Sequence, residues 1–433
     1  MRAAPERPGE AVAAKRRWRA GAEARQGRKP PMTSPRGRSW HRAWRGLAAL
    51  GAALAAVGAA APSDTLIRAR QQIHDPAINA VTFRTMDAWF PIEEVRHGRA
   101  SRLPLRLAPV APTVPIGGAD AGFDEALQRT YTNALLVIRD GAIIDERYFN
   151  GSQADDRFLS WSMAKSITSI LLGIALDRGL IRSIADPVEV YLPELRGTAF
   201  EGATLEQLLL MRDGTSYTEQ VQDGQSTLDV IHERALIRNE TRFTDVTGLG
   251  LTLETPHGGR FRYSTLTSGI LGRVVEAATG RTLAQFTEEA LWKPAGMEAP
   301  AYWVLDGELP EGRALGGAAF NATLRDYGRI GLMMLNGGRA NGRQIVSRKW
   351  VEASTRYTGS APVIPQAPRG YQYQWWTILG TERFEAIGIH GQFMSVDPVT
   401  RTVIVKLSYW PELGGRQYNL DTLALFDAIR AAL

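Results

Sequence analysis

The longest run of regular patterning begins at Ser162. In SMAKSITSILLGIALDRGL the apolar residues Ile167, Ile170, Leu171 and Ile174 recur at helical spacing, Leu172 and Leu176 widen the stripe, and Gly179 stops it, which predicts a buried helix. A second helical pattern, Ile270, Leu271, Val274 and Val275 in RFRYSTLTSGILGRVVEAATG, ends at Gly280 and leaves Tyr263 on the loop before it. Two apolar runs around Asp140-Gly141, in ALLVIRDGAIIDERYFN, predict a β-hairpin. Near the C-terminus, RFEAIGIHGQFMSVDPVTRTVIVKLSYW reads as two β-rich runs flanking the turn DPVT, the first carrying Gly388-Ile389-His390-Gly391-Gln392. Glycines inside a strand mark the close approach of another group to the backbone. AGFDEALQRTYT predicts a short helix and LDTLALFDAIRAAL a terminal one. Residues 64 to about 115 have little helical periodicity and several prolines, so they read as an arm packed on the main body. Strands split by a helical insertion give the α+β class.

Composition adds two constraints. The chain has 433 residues, 44% hydrophobic and 22% charged, enough for one large domain or two joined ones, and it has no cysteine, which excludes disulfides and thiolate metal sites. Its net charge of +6 is concentrated at the start: residues 1–61 hold 13 Lys and Arg against 3 Asp and Glu, whereas residues 62–433 are net −4. Arg36, Arg38, Arg42 and Arg45 precede the apolar run GLAALGAALAAVGAAAPS, which ends in small residues suited to a signal peptidase. The run is shorter than the ~20 apolar residues of a bilayer-spanning helix. It therefore predicts a Sec-type export signal starting at Met32 and cleaved near Ala61, with the mature protein periplasmic or secreted and no stable membrane span. The expected divisions are a leader (1–61), an N-terminal extension (62–119) and a main domain (120–433). A basic leader argues little for a nucleic-acid partner.

The candidate chemistry starts from lysine usage. Only six of 51 basic residues are lysines, and one of them, Lys165, stands three positions after Ser162. On a helix the two share a face, and a serine at the N-terminus has backbone N–H groups and the helix dipole favouring a developing anion. A neutral amine can accept a proton from a serine hydroxyl when burial lowers its pKa, which a guanidinium cannot do. Taken alone, S-x-x-K is weak, because a serine opening a helix is usually an N-cap and a lysine in the first turn is usually solvated. Tyr263 is open to two readings: a phenol whose pKa a nearby ammonium lowers so that it shuttles the serine proton, or a core tyrosine with a satisfied hydroxyl. A strand N–H near GIHGQ can be a second oxyanion donor beside that of Ser162. His390 lacks a Ser/Asp partner pattern and the chain has no G-x-S-x-G, so it reads as a pocket-lining residue rather than a base.

In this order and spacing the motifs resemble the serine β-lactamase-like superfamily, specifically its branch of class C β-lactamases, esterases and 6-aminohexanoate-dimer hydrolases. The resemblance covers roughly residues 120–433, including TLEQLLLMRDGTSY, GGAAFNATLRDYGRIGLMMLNGG and YQYQWW, and reaches FRTMDAWFP in the arm. It implies Ser162 as the acylated nucleophile, Lys165 as its proton partner, Tyr263 as the second acid/base member, and the N–H of Ile389, after Gly388, as the oxyanion donor, with no cofactor or metal. It also implies two lobes. The hairpin from Ala134 and strands from about Tyr371 to Tyr409 would share an antiparallel sheet flanked by terminal helices, with a mostly helical lobe of about residues 180–345 inserted and the site at the seam.

Two departures bear on specificity. Thr265 stands where many relatives have the Asn of Tyr-x-Asn, so a hydroxyl replaces an amide contact to the acyl side of the substrate. Ala386-Ile387-Gly388 stands where β-lactamases have Lys-Thr-Gly, which removes the cation expected to grip a substrate carboxylate, a charge-assisted bond worth roughly 1.5 to 3 kcal/mol. The expectation is an exported serine hydrolase of small esters or short linear amides. The alternatives are a β-lactamase or DD-peptidase, and a catalytically silent member that binds cell-wall fragments or a partner.

Overall fold

The hairpin strands Thr132–Arg139 and Ala142–Tyr148 pair across Asp140-Gly141, where both residues take positive φ (49° and 76°), the type I′ geometry that Asp-Gly favours. A computed structural model describes residues 61–219, 226–359, 361–363 and 368–433. Residues 1–60 of the expected leader (1–61), including its expected start at Met32, lie outside them.

The hairpin is one edge of a seven-stranded antiparallel sheet. From the other edge the order is Arg369–Gln372, Trp375–Ile378, Phe384–Gly388, Gln392–Asp397, Thr402–Ser408, Thr132–Arg139 and Ala142–Tyr148. N-terminal and C-terminal parts of the chain meet where Thr402–Ser408 lies against Thr132–Arg139, with Val405 opposite Leu136. Both faces are covered. Leu136, Ile138, Met394, Val403 and Val405 enter the main core, under the helix Leu324–Leu335, while Leu135, Val137, Phe393 and Ile404 meet Leu425, Phe426 and Ile429 of the terminal helix Arg416–Ala431. Burial on both faces is why these strands read as unbroken apolar runs. The helix from Met163 to Asp177 is buried from Met163 through Ala175 and packs against Thr265–Thr279, which Gly280 closes at φ 64°.

Two expectations need correction, and the inserted lobe gains detail. The run through GIHGQ is two strands rather than one: Phe384–Gly388 and Gln392–Asp397 pair with each other, Gly388 opposite Gln392, and the chain reverses at His390, whose φ is 58°. Residues 64–115 contain a helix, Asp64–Gln71, which Ser63 caps by accepting from the Leu66 N–H at 3.3 Å. Its only large apolar residues are Leu66 and Ile67, too few to give a period. The inserted lobe also carries strands: Ala301–Val304 and Phe320–Ala322 form a four-stranded sheet with Ile92–Val95 from the arm and Phe158–Leu159 just before Ser162. The arm thus belongs to the body; Ile73, Phe83, Met86, Phe90 and Val95 lie in the main core, and the described residues pack as one unit. Among the described residues no helix is long and apolar enough to cross a membrane.

Candidate active site

Ser162 opens its helix without capping it, since its side chain makes no cap hydrogen bond. Instead the Lys165 Nζ, one turn on, lies 2.9 Å from the Ser162 Oγ. The same Nζ reaches the Thr265 Oγ1 at 2.9 Å and the Gly317 carbonyl at 2.7 Å. Lys165 is fully buried, and desolvation pulls its pKa from 10.5 down to about 8, a fall that the carboxylate of Glu219 partly resists. With two acceptors fixed by Thr265 and Gly317, a neutral amine there turns its lone pair toward the serine hydroxyl. Thr265 is therefore engaged by the lysine, while still lining the space beside Ser162.

Tyr263 stands on the loop before its helix, and the Lys165 Nζ sits 4.8 Å from the centroid of its ring. Trp376 stacks on the same ring at 5.6 Å and 23°, and Tyr371 meets it edge-on. The expected lowering of its pKa is not found: burial, then the negative charge of Glu219, push the phenol far above its ordinary value, and a hydrogen bond with Ser162 only partly offsets them. At neutral pH Tyr263 is a protonated donor, and Lys165 is the group that titrates within reach of the nucleophile.

Glu219 is the nearby carboxylate that the sequence did not single out. It accepts from the Thr265 N–H at the start of the second helix and from the Tyr217 hydroxyl at 2.9 Å, so it holds Thr265 while adding negative charge near Lys165.

Gly388 is required sterically. A β-carbon at this position would lie 2.4 Å from the Ser160 carbonyl oxygen and 3.1 Å from the Ser162 nitrogen, although its φ of −123° is ordinary. The end of this strand therefore runs against the backbone of Ser162, and Ile389 follows at 38% exposure, lining the space on both sides of the serine. Among the described residues, neither the Ser162 nor the Ile389 N–H is spent in a turn or cap bond. His390 faces away from this space. It is 1% exposed, its Nδ1 is 2.7 Å from the Trp410 carbonyl and its Nε2 is 2.9 Å from the Nδ1 of His74.

Ser162 lies between two hollows. One, of about 210 Å³, is walled by Ile73, His74, Met86 and Phe90 of the arm and by Leu228 and Phe243. The other is an open cleft of about 380 Å³ bounded by Trp376, Ile387, Arg369 and Arg416. A larger groove, about 1280 Å³, shares no residue with either and holds none of the candidate chemistry. The cleft has cations in its lining that the strand motif does not reveal. Ala386 is fully buried in the core, so the position aligned with the β-lactamase lysine does not face the cleft, whereas two arginines do. Arg369 and Glu385 are 2.9 Å apart, a buried ion pair whose contacting atoms lack hydrogen-bond alignment. Arg416 is exposed and makes no ion pair among the described residues. Nor do the described residues include a cluster of His, Asp or Glu placed to hold a metal ion.

A part-buried serine against a fully buried lysine one turn on, beside a tyrosine ring and a seven-stranded antiparallel sheet, is an arrangement of the serine β-lactamase-like fold. The chain belongs to the β-lactamase family, whose family model matches residues 120–427. It is 33% identical over 377 residues to the 6-aminohexanoate-dimer hydrolase of Paenarthrobacter ureafaciens, covering 80% of this chain and 94% of that protein. A structure from Bacillus anthracis, a candidate 6-aminohexanoate-dimer hydrolase, superposes with a TM-score of 0.75 at 25% identity, covering 85% of this chain and 97% of that one. A penicillin-binding protein of Bacillus halodurans, at 16% identity and a TM-score of 0.57 over 72% of this chain and all of that one, shares the fold.

Proposed function

We propose that the protein is an exported serine hydrolase that cleaves short linear amides or small esters through an acyl-enzyme on Ser162. The observation that carries this reading is the 2.9 Å contact between the Lys165 Nζ and the Ser162 Oγ in a site where burial brings the lysine's pKa to about 8. Neutral Lys165 takes the hydroxyl proton as the Ser162 Oγ attacks the substrate carbonyl. The N–H groups of Ser162 and Ile389 hold the oxyanion, and the C–N or C–O bond breaks as the leaving group is protonated from Lys165 through the Tyr263 hydroxyl. Water then attacks the acyl-serine with Lys165 again as base, releasing the acid and restoring the serine hydroxyl.

The cleft arginines favour leaving groups that carry a carboxylate, which fits a linear amide such as the dimer named for the relative better than a simple ester. The same arginines support a second reading, β-lactam hydrolysis, because they offer the carboxylate partner that the strand motif lacks. A fluorophosphonate followed by intact-mass analysis tests the nucleophile: one adduct is expected on the wild type and none on Ser162→Ala, and an adduct that survives the substitution removes the assignment. Comparing kcat/KM for 6-aminohexanoate linear dimer, p-nitrophenyl butyrate and a chromogenic cephalosporin then separates the substrate classes. A cephalosporin preference favours the second reading.

A further inference from the structure

A main-chain carbonyl fixes the hydrogen pattern of two histidines beside the site. The Trp410 oxygen can only accept, so His390 carries its hydrogen on Nδ1, 2.7 Å away. Burial pushes the pKa of His390 down to about 4, which keeps its ring neutral and its Nε2 an acceptor. The partner of that Nε2, the His74 Nδ1 at 2.9 Å, must then be the donor. A second residue of the arm reaches the same carbonyl, through the Asn79 Nδ2 at 3.2 Å.

His74 also touches the nucleophile's side of the site. Its ring stacks on Trp161 at 4.8 Å and 20°, and Phe83 of the arm meets that indole edge-on at 5.4 Å. Trp161 immediately precedes Ser162, and His390 immediately follows Ile389. One imidazole from the arm therefore bridges the neighbours of both candidate oxyanion donors, and its bond is made to a residue held at a positive φ of 58°.

We propose that His74 is a positioning residue that holds the Ile389 and Ser162 N–H groups in register, so that the arm completes the oxyanion site. This rests on the reading that those two groups receive the oxyanion. Groups that strengthen only in the transition state act on kcat, which separates this role from substrate binding.

The test uses the full chain with p-nitrophenyl butyrate at pH 8.5. His74→Phe keeps an aromatic face for Trp161 but removes the donor, and is expected to lower kcat roughly tenfold to a hundredfold with KM changed less than about threefold. His74→Asn places an amide N–H where Nδ1–H stood and is expected to recover about fivefold or more of that loss. His74→Gln, a milder change whose amide sits at the Nε2 end, leaves His390 without its donor and is expected to lose as much as His74→Phe; it carries the test should the phenylalanine variant not fold. Unchanged kcat in His74→Gln, equal losses in the asparagine and glutamine variants, or a loss carried by KM overturns the proposal. A wild type that takes no phosphonate on Ser162 removes the serine-hydrolase reading along with it, whereas an active wild type indifferent to His74 removes this proposal alone.

Discussion

Replacing Lys165 by arginine keeps a positive charge within reach of Ser162, Thr265 and Gly317 but removes the titratable amine. The folded-state pKa of Lys165 lies at about 8, lowered from 10.5 mainly by desolvation. In the proposed mechanism the competent form is the neutral one, so activity should rise with pH through that value. About a tenth of the lysine is neutral at pH 7, about half at pH 8 and about nine-tenths at pH 9. Wild-type kcat/KM should therefore climb roughly fivefold between pH 7 and 8 and less than twofold above that. A guanidinium with a pKa above ~12 leaves fewer than about one molecule in 10⁴ neutral at pH 8, so Lys165→Arg should lose about 10³-fold or more and should lose the pH limb as well. Lys165→Ala should be no worse. The assay is initial rates on p-nitrophenyl butyrate from pH 6 to 9.5 at constant ionic strength, corrected for spontaneous hydrolysis. Turnover of Lys165→Arg within tenfold of wild type, or a flat wild-type profile, would refute the base assignment.

Other outcomes follow from the same geometry. Glu219 raises the pKa of Lys165 and its oxygen is an acceptor that glutamine can supply, so Glu219→Gln should keep the fold by circular dichroism and shift the alkaline-side gain in kcat/KM to lower pH; an unmoved limb would show that the two groups are not coupled. Gly388→Ala would press a methyl against the Ser160 carbonyl and the Ser162 nitrogen, so it should lower kcat by about a hundredfold and lower the thermal midpoint too; wild-type kcat would mean that the strand end plays no part in oxyanion binding. N-terminal sequencing of the native protein should find cleavage near Ala61, and a retained Met1 or Met32 would rule out removal of the leader.

The elements that could be read from the chain are those whose signal is local. The helix after Ser162 and the Asp140-Gly141 hairpin each carry their period or turn within a few residues, and the structure has both. Ser162, Lys165 and Tyr263 lie at or just before helix starts that the same periodicity marks. What was missed depends on pairings distant in sequence. The arm's strand Ile92–Val95 finds its partner at Ala301–Val304, and His74 meets His390 only because the chain folds back there. Glu219 had no motif around it, and its importance comes from the helix start it meets. The specificity argument from Ala386 saw only part of the cleft for a related reason. A motif position fixes where a residue falls on a strand, but Arg369 and Arg416 reach the cleft from other elements, and no alignment of the strand could reveal them.

The protein carries a control within itself for what makes a buried lysine functional. Lys406 is fully buried on the strand Thr402–Ser408, its Nζ donates to the Ser408 Oγ at 2.5 Å and to the Thr130 carbonyl at 2.9 Å, and desolvation lowers its pKa well below the ordinary value. By burial, serine contact and direction of pKa it matches Lys165. Yet Ser408 is buried at 2% exposure, and neither it nor Lys406 borders a hollow beside Ser162. Both lysines weigh on stability in the same sense. A lysine whose folded pKa is depressed opposes folding fully below that value, and the penalty fades as pH rises toward the unfolded value of 10.5; for Lys165, falling to about 8, it is about 3 kcal/mol near neutral pH. At Lys406 the two acceptors bind the sheet to the Thr130 turn. At Lys165 the same penalty keeps a neutral amine within hydrogen-bond distance of a hydroxyl that faces two hollows and lies beside unspent backbone N–H groups. Access and the waiting donors, more than the altered pKa, separate the catalytic candidate from the structural lysine.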